Sequence, residues 1–263
     1  MLSVGKTESY LRRKLKEKGA LYFILVDPDK VSPEKAGGLA KMAEESGADA
    51  VLVGGTLGVT AIEVERTVEE VKKKTKLPVI LFPGNVSSLS KKADAVLFIS
   101  LLNSSNPYFI VGAQAAGAWS VYKMGLEAIP TGYLIVGNEG GGVGYIGQAR
   151  LIPYERVDLA VAYGLAAKYL GMRFLYLEAG SGAKAPIPAS FITSVKKTTE
   201  LVLIVGGGIR DRESAYRAVV SGADIIVTGN VLEGEDASKV EESVREISEG
   251  VSAGGRVKLA STF

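Results

Sequence analysis

The chain has 263 residues, of which 47% are hydrophobic, and a formal net charge of +2. This length and apolar content are sufficient for one large core, so we expect a single domain. The chain lacks cysteine and histidine, which excludes disulfide frameworks, thiolate metal sites, cysteine nucleophiles, histidine-based zinc hydrolysis and serine triads. The remaining candidates for chemistry are carboxylates, hydroxyls, backbone amides and a hard cation.

Predicted strands and helices alternate along the whole chain. Apolar runs predict strands, helix-length amphipathic segments predict helices, and Ser32 followed by Pro33 is typical of a helix start. The predicted helices cover 7–18, 33–46, about 60–74, part of 107–124, 155–170, about 189–198, 212–221 and 237–249. The predicted strands cover 21–26, 50–53, 78–82, 95–99, 132–136, 174–177, 201–205 and 224–228.

This alternation predicts parallel strands joined by right-handed crossovers. Eight such units in about 250 residues favour a closed (β/α)8 TIM barrel in one domain, and a Rossmann sheet would need a glycine fingerprint after its first strand, which is missing. We expect an N-terminal helix over 1–19, a barrel over 20–250 and a C-terminal tail over 251–263.

Three consecutive predicted strands end in glycine-rich turns. The turns are Gly180-Ser181-Gly182, Gly206-Gly207-Gly208 and Gly229-Asn230. One such turn would be ordinary turn chemistry, but three at the same end of a barrel indicate a phosphate site built from backbone amides. Arg210 and Arg212 follow the second turn, and we expect them to pair with Asp211 or Glu213 on a solvated helix.

Two acids and a threonine stand at predicted strand ends. Glu178 is the only acid in its strand, and a carboxylate in a barrel mouth beside a phosphate loop favours a catalytic role as proton acceptor. Asp27 fits either an Asx turn or helix cap, or a Mg²⁺ ligand. Thr56 fits either a hydroxyl ligand of the same ion or a helix cap.

Residues 110–119 are unusually rich in small side chains. Such a segment is typical of close helix packing or a subunit interface, which composition alone favours. It also fits a groove for a long apolar ligand, because small side chains leave room.

Five motifs, taken together, resemble the geranylgeranylglyceryl phosphate synthase family, which makes the first ether bond of archaeal membrane lipids. The motifs are Val26-Asp27-Pro28-Asp29-Lys30, Gly54-Gly55-Thr56, Tyr176-Leu177-Glu178-Ala179-Gly180-Ser181-Gly182, Gly206-Gly207-Gly208-Ile209-Arg210 and Thr228-Gly229-Asn230. The resemblance spans nearly the whole chain, with one departure at Lys184-Ala185, where the family would have proline and an acid.

The resemblance implies a Mg²⁺-dependent phosphoglycerol geranylgeranyltransferase with Mg²⁺ on Asp27 and Thr56. It also implies that sn-glycerol 1-phosphate binds at Tyr176, Leu177, Glu178, Ala179, Gly180, Ser181, Gly182, Gly206, Gly207, Gly208, Gly229 and Asn230. A prenyl diphosphate would be the second substrate, with its tail directed toward residues 110–119. The segment from Gly137 to Arg150 resembles the larger archaeal branch, so a homo-oligomer, dimer or hexamer, is expected.

Other functions remain open from the residues alone. A phosphosugar isomerase or lyase, a prenyltransferase of another chain length, or a non-catalytic phospholigand-binding barrel would share the glycine turns. The spread of basic residues gives no sign of nucleic acid. The charged start and the lack of a run of ~20 apolar residues predict a cytoplasmic protein, with at most transient membrane contact during product release.

Overall fold

The structure, a computed structural model, describes residues 4–55, 58–137, 140–234 and 236–261. Eight parallel strands pair in sequence order, and β1 also pairs with β8, so the sheet closes into a barrel. The predicted TIM barrel is confirmed. The strands are β1 Leu21–Val26, β2 Ala50–Val53, β3 Val79–Leu81, β4 Ala95–Leu101, β5 Glu127–Ile135, β6 Phe174–Glu178, β7 Val202–Gly206 and β8 Ile225–Thr228.

The helices surround the barrel and mostly follow the predicted pattern. Ser32 caps α2 as expected, because its hydroxyl accepts the Lys35 N–H at 3.3 Å. A π-helical turn, Tyr108–Gly112, leads into α4. The helices are α1 Lys6–Lys18, α2 Pro33–Glu45, α3 Ala61–Lys74, α4 Ala113–Met124, α5 Gly141–Ile146, α6 Val157–Tyr169, α7 Ala189–Thr199, α8 Arg212–Val220 and α9 Ala237–Ala260. Within the described ranges, no helix is long and apolar enough to cross a membrane.

Two predicted boundaries are wrong. The strand predicted over 132–136 begins at Glu127, and the last helix continues past residue 249 to Ala260, so most of the expected tail is helical. Residues 82–94, all described, form turns and bends, in agreement with the absence of a predicted helix between β3 and β4.

Side chains of the strands alternate between two cores, as a barrel sheet requires. Leu21 and Phe23 of β1 belong to the cluster inside the barrel, whereas Tyr22 and Ile24 pack outward under the helices. Both faces of the strands are buried, which accounts for their continuous apolar runs.

Helix α1 packs on the N-terminal side of the sheet. Leu11 of α1 is fully buried with the interior cluster. Glu8 is also fully buried and accepts hydrogen bonds from Arg173 Nε and Nη2 at 2.8 and 2.6 Å. Burial raises the pKa of Glu8, but hydrogen bonds from Arg173 and Arg12 outweigh it and hold the pKa below its ordinary value. The helix is thus fixed to the sheet by a buried ion pair.

Candidate active site

The carboxyl ends of the strands surround one cavity of about 460 Å³. Most of the predicted site residues line it: Asp27, Tyr176, Glu178, Gly180, Ser181, Gly182, Gly207, Gly208, Gly229 and Asn230. The structure therefore brings the three glycine turns and the two acids together, at the end of the barrel where such enzymes carry their sites.

Three predicted residues are placed differently, and a fourth is not described. Leu177 and Ala179 are buried in the outer core under the helices, so their side chains do not line the cavity. Gly206 lies beneath the cavity, against Tyr176 and Glu178. Thr56 lies outside the described residues.

Several backbone amides of the glycine turns have no acceptor among the residues that the structure describes. No described residue accepts a hydrogen bond from the N–H of Gly182, Gly207, Gly208 or Asn230. Backbone donors need partners, and several uncommitted N–H groups at one cavity form an anion site. This observation favours a phosphate ligand over simple turn chemistry.

Side chains and close backbone contacts connect the turns to one another. Ser181 donates its hydroxyl hydrogen to Asn230 Oδ1 at 3.0 Å, which joins the loops after β6 and β8. Gly208 has a φ of +74°, and a Cβ there would collide with the Ala185 carbonyl. Gly208 must therefore be glycine for the loops after β6 and β7 to meet.

Arg210 completes the connection between these two loops. Its Nη2 donates to the Ala183 carbonyl at 2.8 Å, and the residue lines the cavity. Arg212 pairs instead with Glu249 at 3.7 Å. The expected pairing of these arginines with Asp211 or Glu213 is wrong, because the Asp211 carboxylate caps α8 by accepting the Ser214 N–H at 2.7 Å.

Glu178 ends β6 inside the mouth of the barrel. Its Oε1 accepts the Gly180 N–H at 2.7 Å. Burial raises the pKa of Glu178 to about 7, although the hydrogen bonds from Gly180 and the Tyr176 hydroxyl pull it down. A carboxyl group with this pKa can accept a proton near neutral pH, as a general base must.

The glycines after β7 make room for that carboxylate. A Cβ at Gly206 would lie 2.5 Å from the Tyr176 hydroxyl oxygen and 2.8 Å from Glu178 Oε2. A Cβ at Gly207 would lie 2.7 Å from Glu178 Oε1. Gly206 and Gly207 are therefore glycines in order to accommodate the acid.

Three aromatic rings support the site from inside the barrel. Tyr176 stacks on Phe82 with ring centroids 5.4 Å apart, and Tyr133 meets Tyr176 edge-on at 5.1 Å. All three line the cavity. Burial raises the pKa of Tyr133 and Tyr176 well above the ordinary value, so both hydroxyls stay protonated at neutral pH.

Asp27 lies between β1 and the first helix of the barrel, next to Lys30. The ammonium of Lys30 is 3.4 Å from Asp27 Oδ2 and 2.7 Å from Glu233 Oε1. Burial raises the pKa of Asp27, partly offset by the charge of Lys30. Burial lowers the pKa of Lys30, but the hydrogen bond to Glu233 and the charge of Asp27 outweigh it, so the amine stays charged.

The donor set around Asp27 fits a magnesium ion held mainly by substrate. Asp27 Oδ1 accepts no hydrogen bond from the described residues. No group of three or more acids capable of holding a metal occurs in the described part of the chain. Mg²⁺ binds through one or two carboxylates and takes its other ligands from phosphate oxygens and water, so a single carboxylate at a phosphate pocket suffices.

The cavity also has an apolar branch. Its walls come from the loop after β3, from β4, and from the π-helical turn and α4, and include Val86, Leu89, Phe98, Phe109, Ala113, Gly117 and Val121. Because residues 82–94 form no helix, the branch lies open between this loop and α4. The small residues Ala113 and Gly117 thus line a groove, the interpretation that composition alone had not favoured.

The glycine-rich segment after β5 packs against the glycine turn after β6. A Cβ at Gly141 would lie 3.0 Å from the Ser181 amide nitrogen, so α5 approaches this loop backbone to backbone. Gly140 and Val143 line the cavity. Asn138 and Glu139, in the same predicted loop, lie outside the described residues.

Sequence reasoning missed the cavity residues that carry no motif signal. Phe82 and Tyr133 sit within ordinary apolar strand patterns, and Glu233 lies past the last glycine turn. Lys30 does lie in the motif that begins at Val26, but the motif assigns it no role, and its position three residues after Asp27 was the one available signal.

Comparison with known proteins is consistent with this geometry. A model of the PcrB family matches residues 12–251. The chain belongs to the PcrB family. It is 51% identical over 252 residues to the geranylgeranylglyceryl phosphate synthase of Thermococcus kodakarensis, covering 95% of this chain and 99% of that relative. The enzyme of the same name from Pyrococcus horikoshii is 50% identical over 248 residues, covering 93% and 97%.

A solved structure of the family matches the fold closely. The (S)-3-O-geranylgeranylglyceryl phosphate synthase of Thermoplasma acidophilum, crystallised with its substrate sn-glycerol-1-phosphate, aligns with a TM-score of 0.88 and 37% identity. The alignment covers 95% of this chain and 100% of that one. The family expected from the five motifs is confirmed.

Proposed function

We propose that this chain transfers a geranylgeranyl group from its diphosphate to the free primary hydroxyl of sn-glycerol 1-phosphate. The products are geranylgeranylglyceryl phosphate and diphosphate. Family relatives carry the name of this activity, and one was crystallised with sn-glycerol-1-phosphate. The observation that carries the proposal is the set of uncommitted amides at Gly182, Gly207, Gly208 and Asn230 beside Glu178.

The glycerol phosphate binds with its phosphate on these amides. Gly182, Gly208 and Asn230 come from three different loops, so a phosphate dianion is contacted from several directions. Arg210 adds positive charge at the same end of the cavity. Held in this way, the glycerol places its free hydroxyl toward the Glu178 carboxylate.

The prenyl tail lies in the apolar branch beside α4. Its walls are mainly apolar, and burying one CH₂ group there is worth about 0.8 kcal/mol. A chain of twenty carbons therefore gains a large part of its affinity from this branch, which also directs the diphosphate back toward Asp27.

The reaction exchanges one carbon–oxygen bond for another. The glycerol oxygen forms a bond to the first prenyl carbon, the bond from that carbon to the diphosphate breaks, and its electron pair leaves with the diphosphate. Glu178 takes the hydroxyl proton, for which its pKa of about 7 is suited. The Tyr176 hydroxyl and the Gly180 amide hold the carboxylate in place.

Magnesium would be held by Asp27, with Thr56 as a further candidate ligand. When bound, it neutralises negative charge on the departing diphosphate. Asp27 presents an oxygen without a hydrogen-bond partner among the described residues, which is what a ligand of a shared ion needs. Most of the rate enhancement then comes from positioning and charge stabilisation, in keeping with a chain that has no histidine or cysteine.

We further propose a homo-oligomer, dimer or hexamer, in the cytoplasm, with transient membrane contact during product release. Support for association comes from α4, whose outer face carries Trp119 and Tyr122 at 69% and 77% exposure. Exposed aromatic side chains at this level mark contact surfaces. Light scattering of the purified protein tests the oligomer.

A product assay tests the transferase. The purified protein is incubated with Mg²⁺, sn-glycerol 1-phosphate and prenyl diphosphates of increasing length, and product mass and released pyrophosphate are measured. We expect a glycerol ether that carries one prenyl group, with the highest yield for geranylgeranyl diphosphate. If the protein binds glycerol phosphate but releases no pyrophosphate, it is a non-catalytic ligand-binding barrel and the proposed transferase activity is wrong.

A lyase or isomerase that forms a Schiff base with its substrate receives no support from the cavity. Lys30 is the one lysine among the described lining residues, and it remains charged between two carboxylates. A Schiff base requires a neutral amine.

A further inference from the structure

We infer that Lys30 binds the diphosphate of the prenyl donor. This inference rests on the proposed function and adds to it a protein cation for the leaving group. Two basic side chains line the described cavity, Lys30 and Arg210. The reaction brings two anions into that cavity, a phosphate monoester and a diphosphate.

The two cations are carried by different loops, one after β1 and one after β7. Arg210 follows β7 and is bonded to Ala183 of the glycine loops. Lys30 follows β1, next to Asp27. Around the barrel, β8 separates β7 from β1, so the two cations approach the cavity from different loops. Arg210 is therefore placed for the glycerol phosphate, and Lys30 for an anion beside Asp27.

The local charge makes a cation necessary there. Asp27, Asp29 and Glu233 all line the cavity around Lys30, so this corner carries more negative than positive charge. A diphosphate repelled by three carboxylates needs positive charge from the protein as well as from a metal ion. Lys30 is the described side chain that supplies it.

Lys30 is also free to change partners. Its contact with Glu233 joins side chains that are 35% and 36% exposed, and pairs this accessible contribute little stability. A diphosphate carries more charge than one carboxylate and forms stronger charge-assisted hydrogen bonds. The ammonium, on its flexible four-carbon stem, exchanges Glu233 for a phosphate oxygen while Glu233 moves into water.

The test measures two affinities on the same variants. Inorganic pyrophosphate with Mg²⁺, and separately sn-glycerol 1-phosphate, are titrated calorimetrically into wild type, Lys30→Met, Lys30→Arg and Arg210→Gln. We expect Lys30→Met to weaken pyrophosphate binding about 10- to 100-fold, the usual effect of removing one charged hydrogen bond, with glycerol phosphate affinity changed less than about twofold. Lys30→Arg retains most of the pyrophosphate affinity, and Arg210→Gln shows the opposite preference.

Glu233→Gln provides a second variant that keeps Lys30. Removing its competitor should tighten pyrophosphate binding about 2- to 5-fold. Unchanged pyrophosphate binding in Lys30→Met, or equal loss of both ligands, would overturn the assignment, as would weaker pyrophosphate binding in Glu233→Gln. A wild-type protein that forms no prenyl ether contradicts the proposed function instead, so the two failures are distinguishable.

Discussion

Replacing Glu178 by glutamine removes the proposed proton acceptor with little change in shape. The glutamine keeps an oxygen that can accept the Gly180 N–H, now received by Glu178 Oε1 at 2.7 Å. The loop after β6 should therefore keep its conformation. We expect turnover to fall about 10²- to 10⁴-fold, the usual contribution of a general base. Affinity for sn-glycerol 1-phosphate should change less than about tenfold, because a neutral hydrogen bond replaces a charged one.

The pKa of Glu178 gives this prediction a pH signature. A base must be deprotonated to act, so kcat/KM for glycerol phosphate in the wild type should rise with pH and level off above about 7. The rise of kcat with pH should occur at a higher pH than the rise of kcat/KM, because the bound phosphate dianion disfavours a second negative charge nearby. Tyr176→Phe removes a hydrogen bond that lowers this pKa, so kcat/KM and kcat should both begin to rise at a higher pH.

The assay is steady-state release of pyrophosphate at pH 5.5 to 9, with glycerol phosphate affinity measured separately by calorimetry. The increase in rate near pH 7 that depends on Glu178 should be absent from Glu178→Gln. Its pH profile should show only the titration of the substrate phosphate. Equal losses of turnover and affinity would refute the assigned role. So would a pH profile of Glu178→Gln that keeps the wild-type rise in rate near pH 7.

Three further changes test other parts of the account. Gly206→Ala places a methyl 2.5 Å from the Tyr176 hydroxyl oxygen and 2.8 Å from Glu178 Oε2, so turnover should fall at least about tenfold in the pyrophosphate assay. Asp27→Asn should raise the Mg²⁺ concentration needed for half-maximal rate about tenfold or more, read from a metal titration. Glu8→Gln should lower the unfolding free energy by about 2–4 kcal/mol in denaturant melts, because it leaves Arg173 without its buried charge partner.

Matched controls accompany these variants. A Cβ at Gly38 meets no atom within 4 Å, so Gly38→Ala should keep full turnover. Glu17→Gln breaks its surface pairs with Arg13 and Lys14 and should change stability by less than about 0.5 kcal/mol. The folded pKa of Glu8 is lowered, so its stabilisation is present above the unfolded pKa and is lost as pH falls through the folded pKa. The difference in unfolding free energy between wild type and Glu8→Gln should therefore become smaller at acid pH.

The strand order and the site motifs were predictable because they rest on local rules. Apolar runs predicted a strand at each of the eight positions, and glycine turns after β6, β7 and β8 predicted the phosphate end. In a parallel barrel all strand ends meet on one side, so sequence position was enough to bring Asp27 and Glu178 to one cavity.

The errors arose where tertiary contacts override local signals. The first half of β5 was not predicted, because it contains Pro130 and proline is unusual within a strand. The predicted end of α9 stands just before Gly250, but a Cβ there would collide with the Arg212 carbonyl. That glycine permits close helix packing and does not end the helix. The partner of Arg210, a carbonyl on another loop, has no sequence signal at all.

A crystal structure of this chain with sn-glycerol 1-phosphate bound would test the phosphate site and the role of Glu178 together. We predict phosphate oxygens within hydrogen-bond distance of the amides of Gly182, Gly208 and Asn230, with the free primary hydroxyl about 3 Å from the Glu178 carboxylate. A phosphate bound away from these amides, or a hydroxyl pointing away from Glu178, would contradict it.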